Sequence, residues 1–214
     1  MPASTSSSLN HAYRKAQRYL CRCEPAFKPL IARVGPCTLE PQSDSFRLLV
    51  RAIVSQMIST KAAASIFAKL EARLGRKKLS PTAILTLDET ALREVGLSSA
   101  KARSLHDLAG RVTSKTLPLA SLPQLDDEEV IEHLVAVRGI GRWTAEMFLI
   151  FSLGRLDVWA VDDFGLRAGV QEMYGLSELP TRAAMRELAE PWRPYRSVAS
   201  WYLWRSRDGA TEAK

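Results

Sequence analysis

Apolar residues recur at intervals of three and four along nearly the whole chain, and this spacing constrains the fold more than any other feature. A period-two alternation never persists beyond four or five residues. Spacings of three and four place side chains on one face of a helix, whereas alternation is typical of a strand. The sequence therefore predicts an all-α protein. Helices are expected over residues 11–22, 25–34, 44–56, 60–74, 81–86, 89–95, 99–114, 127–136, 142–153, 163–173, 181–189 and 195–206.

A glycine turn joins two of these predicted helices. Gly139 and Gly141 flank Ile140, and the next helix is expected to begin at Arg142 or Trp143. Glycine tolerates positive φ and lets a bulky partner approach the main chain, while the first N–H groups of a helix attract anions such as phosphate. A plain helix-to-helix turn uses the same residues, so the turn alone leaves both interpretations open.

Two adjacent aspartates, Asp162 and Asp163, stand immediately before another predicted helix. An aspartate at this position accepts a hydrogen bond from the first turn, so at least one of the two is expected to be an N-cap. Capping needs only one carboxylate. A purely structural role for either residue and a chemical role for one of them both remain open.

A polar amide followed by a thioether marks the end of the predicted helix 44–56. Gln56 and Met57 stand at a corner between two helices, and Ser59 lies just before the next one. Methionine fills irregular gaps in protein cores, so Met57 is a candidate core residue.

Four motifs in order resemble the helix-hairpin-helix DNA glycosylase superfamily, specifically its 3-methyladenine DNA glycosylase II (AlkA-type) branch. The resemblance extends over residues 17–206 and implies a two-lobed fold with a central cleft, in a compact form without the N-terminal β domain of larger members. One lobe is expected to combine the terminal segments with residues near 46–50, and the other to be centred on a hairpin at 134–145. The motifs are LVRAIVSQMIST at 49–60, GIGRWTA at 139–145, DDFGLRAG at 162–169 and EPWRPYRSVASWYLWR at 190–205.

The resemblance assigns roles to individual residues. Asp163 corresponds to the catalytic aspartate, with Asp162 as its structural neighbour, and Trp143, Met147 and Trp204 correspond to the pocket for a flipped-out base. The corner at Met57 corresponds to the wedge that fills the gap left in the DNA. The remaining tryptophans, Trp159, Trp192 and Trp201, are expected in the core. The DNA-binding set is Gln56, Met57, Ser59, Gly139, Ile140, Gly141, Arg142 and Thr144.

A single catalytic carboxylate also indicates the class of substrate. Ordinary glycosidases use two carboxyl groups because a poor leaving group must be protonated. An N3- or N7-alkylated purine already carries positive charge, so one carboxylate can suffice. Bifunctional relatives have a lysine where this chain has Trp143. We therefore expect a monofunctional enzyme that hydrolyses the N-glycosidic bond of 3-methyladenine or 7-methylguanine, without lyase activity.

The charge is that of a nucleic-acid-binding protein. The net charge is +7 and the isoelectric point is near 9.5. Residues 1–125 carry 19 Lys and Arg against 8 Asp and Glu, whereas residues 126–214 carry 11 against 15. The hairpin therefore lies in the acidic part of the sequence. In the resembling family a Na⁺ or K⁺ ion binds such a hairpin through main-chain carbonyls, which correspond to those of Val135, Val137 and Gly139. No cofactor is expected to be required.

Other features exclude some classes of protein. No run of about 18 uncharged apolar residues could span a membrane, and the N-terminus lacks the apolar core of a secretory signal. Three cysteines, an odd number in a chain of ordinary size, indicate reduced thiols rather than a disulfide framework. Cys21 and Cys23 could invite a metal, but no second Cys or His cluster follows them, so structural thiols are expected. We expect a monomer acting on alkylated double-stranded DNA in the bacterial cytosol, at the nucleoid. The glycosylase domain is expected over 11–206, after a disordered leader at 1–10 and before a flexible tail at 207–214.

Two other functions compete with this one. A non-catalytic helix-hairpin-helix protein would need the glycine turn but neither Asp163 nor the paired indoles. A related glycosylase for deaminated or oxidised bases would keep the same architecture.

Overall fold

The computed structural model describes residues 3–207, with side chains from residue 8 onward, and over this part of the chain it contains twelve α-helices and no β-strand. The all-α prediction is therefore confirmed. Short 3₁₀ turns at Leu122–Gln124 and Glu190–Trp192 supplement the helices. The helices are α1 (Ala3–Cys23), α2 (Phe27–Val34), α3 (Ser45–Ser55), α4 (Thr60–Leu74), α5 (Pro81–Leu85), α6 (Glu89–Glu94), α7 (Ser99–Thr113), α8 (Asp127–Val135), α9 (Arg142–Phe151), α10 (Phe164–Tyr174), α11 (Arg182–Ala189) and α12 (Arg196–Arg205).

The predicted and observed helix ends agree to within two residues everywhere except at the start of α1, and side-chain caps account for several of the helix starts. The Ser59 and Ser98 hydroxyls accept hydrogen bonds from the first turns of α4 and α7. Asp126 and Glu129 form a reciprocal capping box at the start of α8. These residues are visible as caps in the sequence, so they fix helix starts before any tertiary contact is known.

The predicted leader and tail need correction where the structure describes them. Helix α1 begins at Ala3, so residues 3–10 are helical rather than disordered. The polar segment after Pro2 contains no glycine or proline to stop a helix, and extending an existing helix is far easier than nucleating one. Arg207, at the start of the predicted tail, donates from Nε to Glu172 at 2.9 Å. The rest of both segments, residues 1–2 and 208–214, lies outside the described residues.

The chain divides into two compact units, and the first joins residues 3–41 to residues 154–207. Its core is aromatic. The fully buried Trp192 contacts Phe27 and Trp159 edge to face, with ring centroids 5.1 and 5.2 Å apart. Trp159 and Trp201 are also buried, which confirms the core role predicted for these three tryptophans.

Two glycines bring α10 and α12 of this first unit close together. A Cβ atom at Gly169 would lie 3.0 Å from the Cβ atom and the carbonyl oxygen of Leu203, and one at Gly165 would lie 3.1 Å from Trp204 Cδ1. Because these glycines are four residues apart, both lie on the face of α10 that meets α12. The approach places Trp204 against the first turn of α10.

The second unit is Gln42–Leu153 and contains α3 to α9. Helix α3 packs against α4, α7 and α9, and α8 packs against α9. Leu49 and Ile53 of α3 are fully buried in this unit. The residues near 46–50 therefore belong with the hairpin and not with the terminal segments, contrary to the prediction, because the apolar face of α3 packs against α4, α7 and α9.

Candidate nucleic-acid interface and active-site carboxylate

The glycine turn forms a tight hairpin between α8 and α9 in the second unit. Gly139 has φ of +77°, and the Ile140 N–H donates to the Val137 carbonyl at 3.1 Å. A Cβ atom at Gly139 would lie 2.6 Å from Ser104 Oγ, so only glycine fits against α7 there. At Gly141, which has φ of −98°, a Cβ atom would meet nothing within 4 Å.

The hairpin presents main chain rather than side chains to an incoming anion. Gly141 is the N-cap of α9, and no side-chain cap covers this helix start. Ile140 and Thr144, both predicted to contact DNA, are 4% exposed. Their buried side chains restrict any contact with DNA to the main chain, as expected for a phosphate at a helix N-terminus.

Arg142, another predicted DNA contact, is bound by two carboxylates. Its guanidinium donates to both Glu128 oxygens at 3.0 and 2.5 Å, and its Nε donates to Glu146 at 3.2 Å. Hydrogen bonding from Arg142 lowers the pKa of Glu128, and the same hydrogen bonding raises the pKa of Arg142. A phosphate would therefore have to compete with Glu128 for this side chain.

The corner between α3 and α4 carries a fully exposed methionine. Met57 is 100% exposed and has φ of +56°, a value that non-glycine residues rarely adopt. The core role that remained open for Met57 is thus excluded. Gln56 donates from Nε2 to the Gly139 carbonyl at 2.8 Å, and exposed Ser59 caps α4 through Ala62 N–H at 3.2 Å. The corner and the hairpin are hydrogen-bonded neighbours within one unit.

The carbonyls proposed to hold a monovalent cation belong to this hairpin. The Val137 oxygen accepts from Ile140 N–H, the Gly139 oxygen accepts from Gln56, and Val135 is 42% exposed. A carbonyl oxygen has two lone pairs, so one hydrogen bond leaves capacity for a hard cation. Side chains offer no alternative metal site, since the described residues contain no cluster of three or more His, Cys, Asp or Glu.

Trp143 and Met147 lie one turn apart on α9. Trp143 is 45% exposed and Met147 is half-buried. Side chains four residues apart share a helix face. The second unit therefore contributes an exposed indole with a flexible thioether beside it.

Asp163, in the first unit, is held by two N–H donors. Its Oδ1 accepts from the Leu166 N–H at 2.7 Å, as the N-cap of α10, and from the Trp204 indole Nε1–H at 2.9 Å. Both Asp163 and Trp204 are half-buried. Bonds to N–H donors stabilise a carboxylate in its charged form. The structure brings Asp163 and Trp204 together and leaves Asp162 exposed, in an ion pair with Arg182.

Sequence reasoning missed three residues next to these sites. Phe164, the first residue of α10, is 65% exposed beside Asp163, and its position after the capping aspartate was the available signal. Lys101 and Asp107 of α7 hydrogen-bond to main-chain atoms of the corner and the hairpin. No sequence signal indicates such contacts, because main-chain acceptors and donors exist at every position. Arg196 forms an ion pair with Asp157 at 2.8 Å.

Residues 50–194 match the model of the HhH-GPD superfamily, described as base excision DNA repair proteins, and the chain belongs to this family.

Three individual proteins are similar to this chain over nearly its whole length. The chain is 35% identical over 202 residues to the alkylbase DNA glycosidase-like protein mag2 of Schizosaccharomyces pombe, covering 92% of this chain and 95% of that protein. The solved DNA-3-methyladenine glycosidase of Bacillus halodurans superposes with a TM-score of 0.83 at 33% identity, covering 92% of this chain and 91% of that one. The S. pombe 3-methyladenine DNA glycosylase Mag1, solved in complex with abasic DNA, gives 0.79 at 33% identity, covering 90% and 96%.

Proposed function

We propose that this protein is a monofunctional DNA glycosylase that releases alkylated purines, of the 3-methyladenine and 7-methylguanine class, from double-stranded DNA in base excision repair. The observation that carries the proposal is the Asp163 carboxylate, half-buried and held by Leu166 N–H and the Trp204 indole. Such a fixed anion suits a reaction in which positive charge develops on a sugar. The relatives that act on 3-methyladenine supply the substrate class.

In the proposed reaction, the bond between C1′ and the purine nitrogen breaks and its electron pair leaves with the base. An alkylated base that begins as a cation departs neutral, so it needs no proton from the enzyme. Asp163 stabilises the positive charge that appears on the sugar, and it orients or deprotonates the water that attacks C1′. The products are the free base and an abasic sugar, and the proton from water passes to solvent.

Recognition requires the damaged nucleotide to leave the helical stack. Flipping costs a few kcal/mol, less where pairing is already weakened. We propose that the pocket residues Trp143, Met147 and Trp204 receive the base. An indole face attracts a cationic purine by about 0.5 to 2 kcal/mol. Phe164 adds an exposed aromatic ring next to Asp163 and joins this proposed set.

The DNA backbone and the vacated space are assigned to the second unit. We propose that main-chain N–H groups at Gly139, Gly141 and the start of α9 bind a phosphate, and that Met57 fills the gap in the duplex with Gln56 beside it. The complete exposure of Met57 supports this assignment. Burial of an exposed apolar side chain between bases is the usual action of a minor-groove wedge.

A monovalent cation is part of the proposal. Na⁺ or K⁺, when bound by the carbonyls of Val135, Val137 and Gly139, would add positive charge beside the phosphate. We propose that no other cofactor is needed and that the protein acts as a monomer. Its proposed location is the bacterial cytosol at the nucleoid, because its substrate lies there. Among the described helices, none has the length and apolar character to cross a membrane.

The absence of a lysine at position 143 supports hydrolysis without strand cleavage. An amine nucleophile would form a Schiff base with the sugar, but an indole nitrogen cannot. We therefore expect an intact abasic strand as the DNA product.

Base release from methylated duplex DNA tests the proposal. Free 3-methyladenine and 7-methylguanine are quantified after incubation with wild-type protein, with Asp163→Asn and with Asp162→Asn as a matched control. We expect Asp163→Asn to lower release by roughly 10²- to 10³-fold, a range typical of losing one electrostatic stabiliser. Asp162→Asn breaks only a surface ion pair and should leave release within about twofold.

The possible outcomes separate the competing functions. Undiminished release by Asp163→Asn would remove that residue from its role. Wild-type protein that binds DNA but releases no base would favour a structural DNA-binding protein. Release of deaminated or oxidised bases in preference to alkylated ones, measured across a panel of lesions, would favour the related glycosylase.

A further inference from the structure

One face of α7 contacts both turns that the proposed function assigns to DNA. Lys101, Ser104 and Asp107 are spaced by three residues, so they follow one another along the same side of the helix. Each contacts main chain of the corner or of the hairpin. Helix α7 therefore holds two segments that are distant in sequence.

Lys101 binds the end of α3. Its ammonium donates to the carbonyls of Val54 and Gln56 at 2.8 and 2.7 Å. The last carbonyls of a helix lack intrahelical partners, and a cation there also complements the helix dipole. Burial lowers the pKa of Lys101, in keeping with a position partly withdrawn from solvent. The ammonium thus fixes the main chain immediately before Met57.

Asp107 and Ser104 fix the hairpin. Asp107 Oδ2 accepts the Arg138 N–H at 2.7 Å, and Ser104 Oγ occupies the space that a Cβ atom at Gly139 would need, 2.6 Å from its position. Gln56 connects the corner directly to the hairpin, because its side-chain amide donates to the Gly139 carbonyl at 2.8 Å. The corner and the hairpin are therefore joined twice, directly through Gln56 and indirectly through α7.

We propose that Lys101 is a positioning residue that holds the Gln56-Met57 corner in register with the phosphate-binding hairpin, so that Met57 enters the duplex when the hairpin grips the backbone. This inference rests on the proposed wedge role of Met57. Met57 has a positive φ, and a non-glycine residue keeps such a conformation only where its surroundings impose it. The two hydrogen bonds from Lys101 supply that restraint on one side of Met57.

Unstacking of a fluorescent base tests the proposal without requiring bond cleavage. A duplex carries 2-aminopurine next to a lesion analogue that cannot be hydrolysed, and the fluorescence rise on binding reports extrusion of the nucleotide. Lys101→Met keeps the length of the side chain but removes its charge and donors. Arg103→Met is the matched control, since it removes the same charge from an exposed position on the same helix, where Arg103 pairs with Glu89 at 3.5 Å.

We expect Lys101→Met to reduce the extrusion equilibrium roughly tenfold, as for loss of a charge-assisted hydrogen bond, whereas Arg103→Met changes it less than about twofold. In a Met57→Ala background, Lys101→Met should have no further effect, because it acts through Met57. A general structural role would instead add to the loss. If Lys101→Met unfolds at the assay temperature, Lys101→Gln, which keeps an N–H donor without the charge, replaces it with the same expected direction.

Failure of this inference differs from failure of the proposed function. Equal behaviour of Lys101→Met and Arg103→Met, with Met57→Ala still defective, overturns the positioning role alone. An additive loss in the double variant also overturns it. A normal fluorescence rise with Met57→Ala overturns the wedge itself and this inference with it. Loss of base release in Asp163→Asn is read separately, since extrusion precedes chemistry.

Discussion

The indole N–H of Trp204 distinguishes the two adjacent aspartates. Asp163 accepts from that N–H and from the first turn of α10, whereas Asp162 is exposed and pairs with Arg182. The capping role of one aspartate was predictable, because caps are local. The bond to Trp204 was not, because the two residues are 41 positions apart and only the close approach of α10 and α12 joins them.

Replacing Trp204 with phenylalanine tests the bond to Asp163. Trp204→Phe keeps an aromatic ring but removes the only N–H of the indole. We expect the single-turnover rate of base release to fall roughly 10- to 100-fold, since a hydrogen bond to a charged group contributes about 1.5 to 3 kcal/mol. Affinity for duplex DNA and the melting temperature should change little. A rate equal to that of wild type would show that the indole N–H does not orient the carboxylate.

Because of Cys37, the free energy of unfolding should vary with pH in the alkaline range. Burial raises the pKa of its thiol from an ordinary value of 9.0 to about 11. Because the folded state keeps the proton longer than the unfolded state, the contribution is complete below pH 9 and is lost as pH rises through 11. Its full size is about 3 kcal/mol. Burial likewise raises the pKa of Tyr13 to about 12, so stability continues to fall at higher pH.

Urea unfolding of wild type and Cys37→Ala at several pH values measures this contribution. At pH 8.5 the variant should be less stable, because a buried group has been removed. The difference between the two proteins should shrink by about 2 kcal/mol towards pH 11. Cys21→Ala, at a half-buried position, serves as the control. A stability difference that does not change with pH contradicts the prediction.

At the level of individual helices, capping residues could be predicted from the sequence, whereas tertiary contacts could not. Asp126 and Glu129 cap α8, and Ser98 caps α7, so these helices begin where the sequence indicates. The contacts of Lys101 and Asp107 were not predictable, because their partners are main-chain atoms of remote turns. The face of α7 that carries Lys101 and Asp107 appears merely polar in the sequence, but in the structure it hydrogen-bonds to the corner and the hairpin.

The two glycines of the hairpin should respond differently to substitution by alanine. At Gly139 a Cβ atom would meet Ser104 Oγ at 2.6 Å, and φ is +77°. Gly139→Ala should therefore destabilise the fold by about 1 to 3 kcal/mol and also weaken DNA binding. At Gly141 a Cβ atom meets nothing within 4 Å. Gly141→Ala should destabilise the fold by no more than about 1 kcal/mol, the usual cost of alanine at an N-cap. It should weaken DNA binding, because the methyl group keeps a phosphate away from the helix start.

Thermal unfolding and duplex affinity, measured on both glycine variants, distinguish the roles. If Gly141→Ala binds DNA as tightly as wild type, a close approach of phosphate at that position is contradicted. If Gly139→Ala is as stable as wild type, the contact with Ser104 is readily relieved.

For the whole molecule, dividing the sequence after residue 125 wrongly assigned the hairpin to an acidic part of the protein. Residues 126–214 are acidic as a segment, but the unit that holds the hairpin is Gln42–Leu153, with 15 Lys and Arg against 12 Asp and Glu. Several of those acids are already engaged, as Asp126 and Glu129 in a cap and Glu128 and Glu146 with Arg142. The hairpin thus lies in a mildly basic unit, which suits a polyanionic partner.

The division into units was also only partly predictable. Both terminal segments do join in one unit, because α1, α2, α10 and α12 pack together. The prediction that residues 46–50 belong to this first unit was wrong. The sequence of an amphipathic helix indicates an apolar face but not which element covers that face. The carboxylate Asp163 belongs to the first unit and the hairpin to the second.

In the proposed function, the charge of Asp163 acts on the bond-breaking step and not on folding or binding. Asp163→Asn keeps an oxygen that can cap α10 and accept from Trp204, and asparagine is as good an N-cap as aspartate. The decisive measurement compares wild type with Asp163→Asn. It is the single-turnover rate of 7-methylguanine release from a defined duplex, together with the dissociation constant of each protein for that duplex. For Asp163→Asn we expect unchanged affinity and melting temperature, with a rate lowered by roughly 10²- to 10³-fold. A rate within a few fold of wild type, in a variant that binds and folds normally, would contradict it.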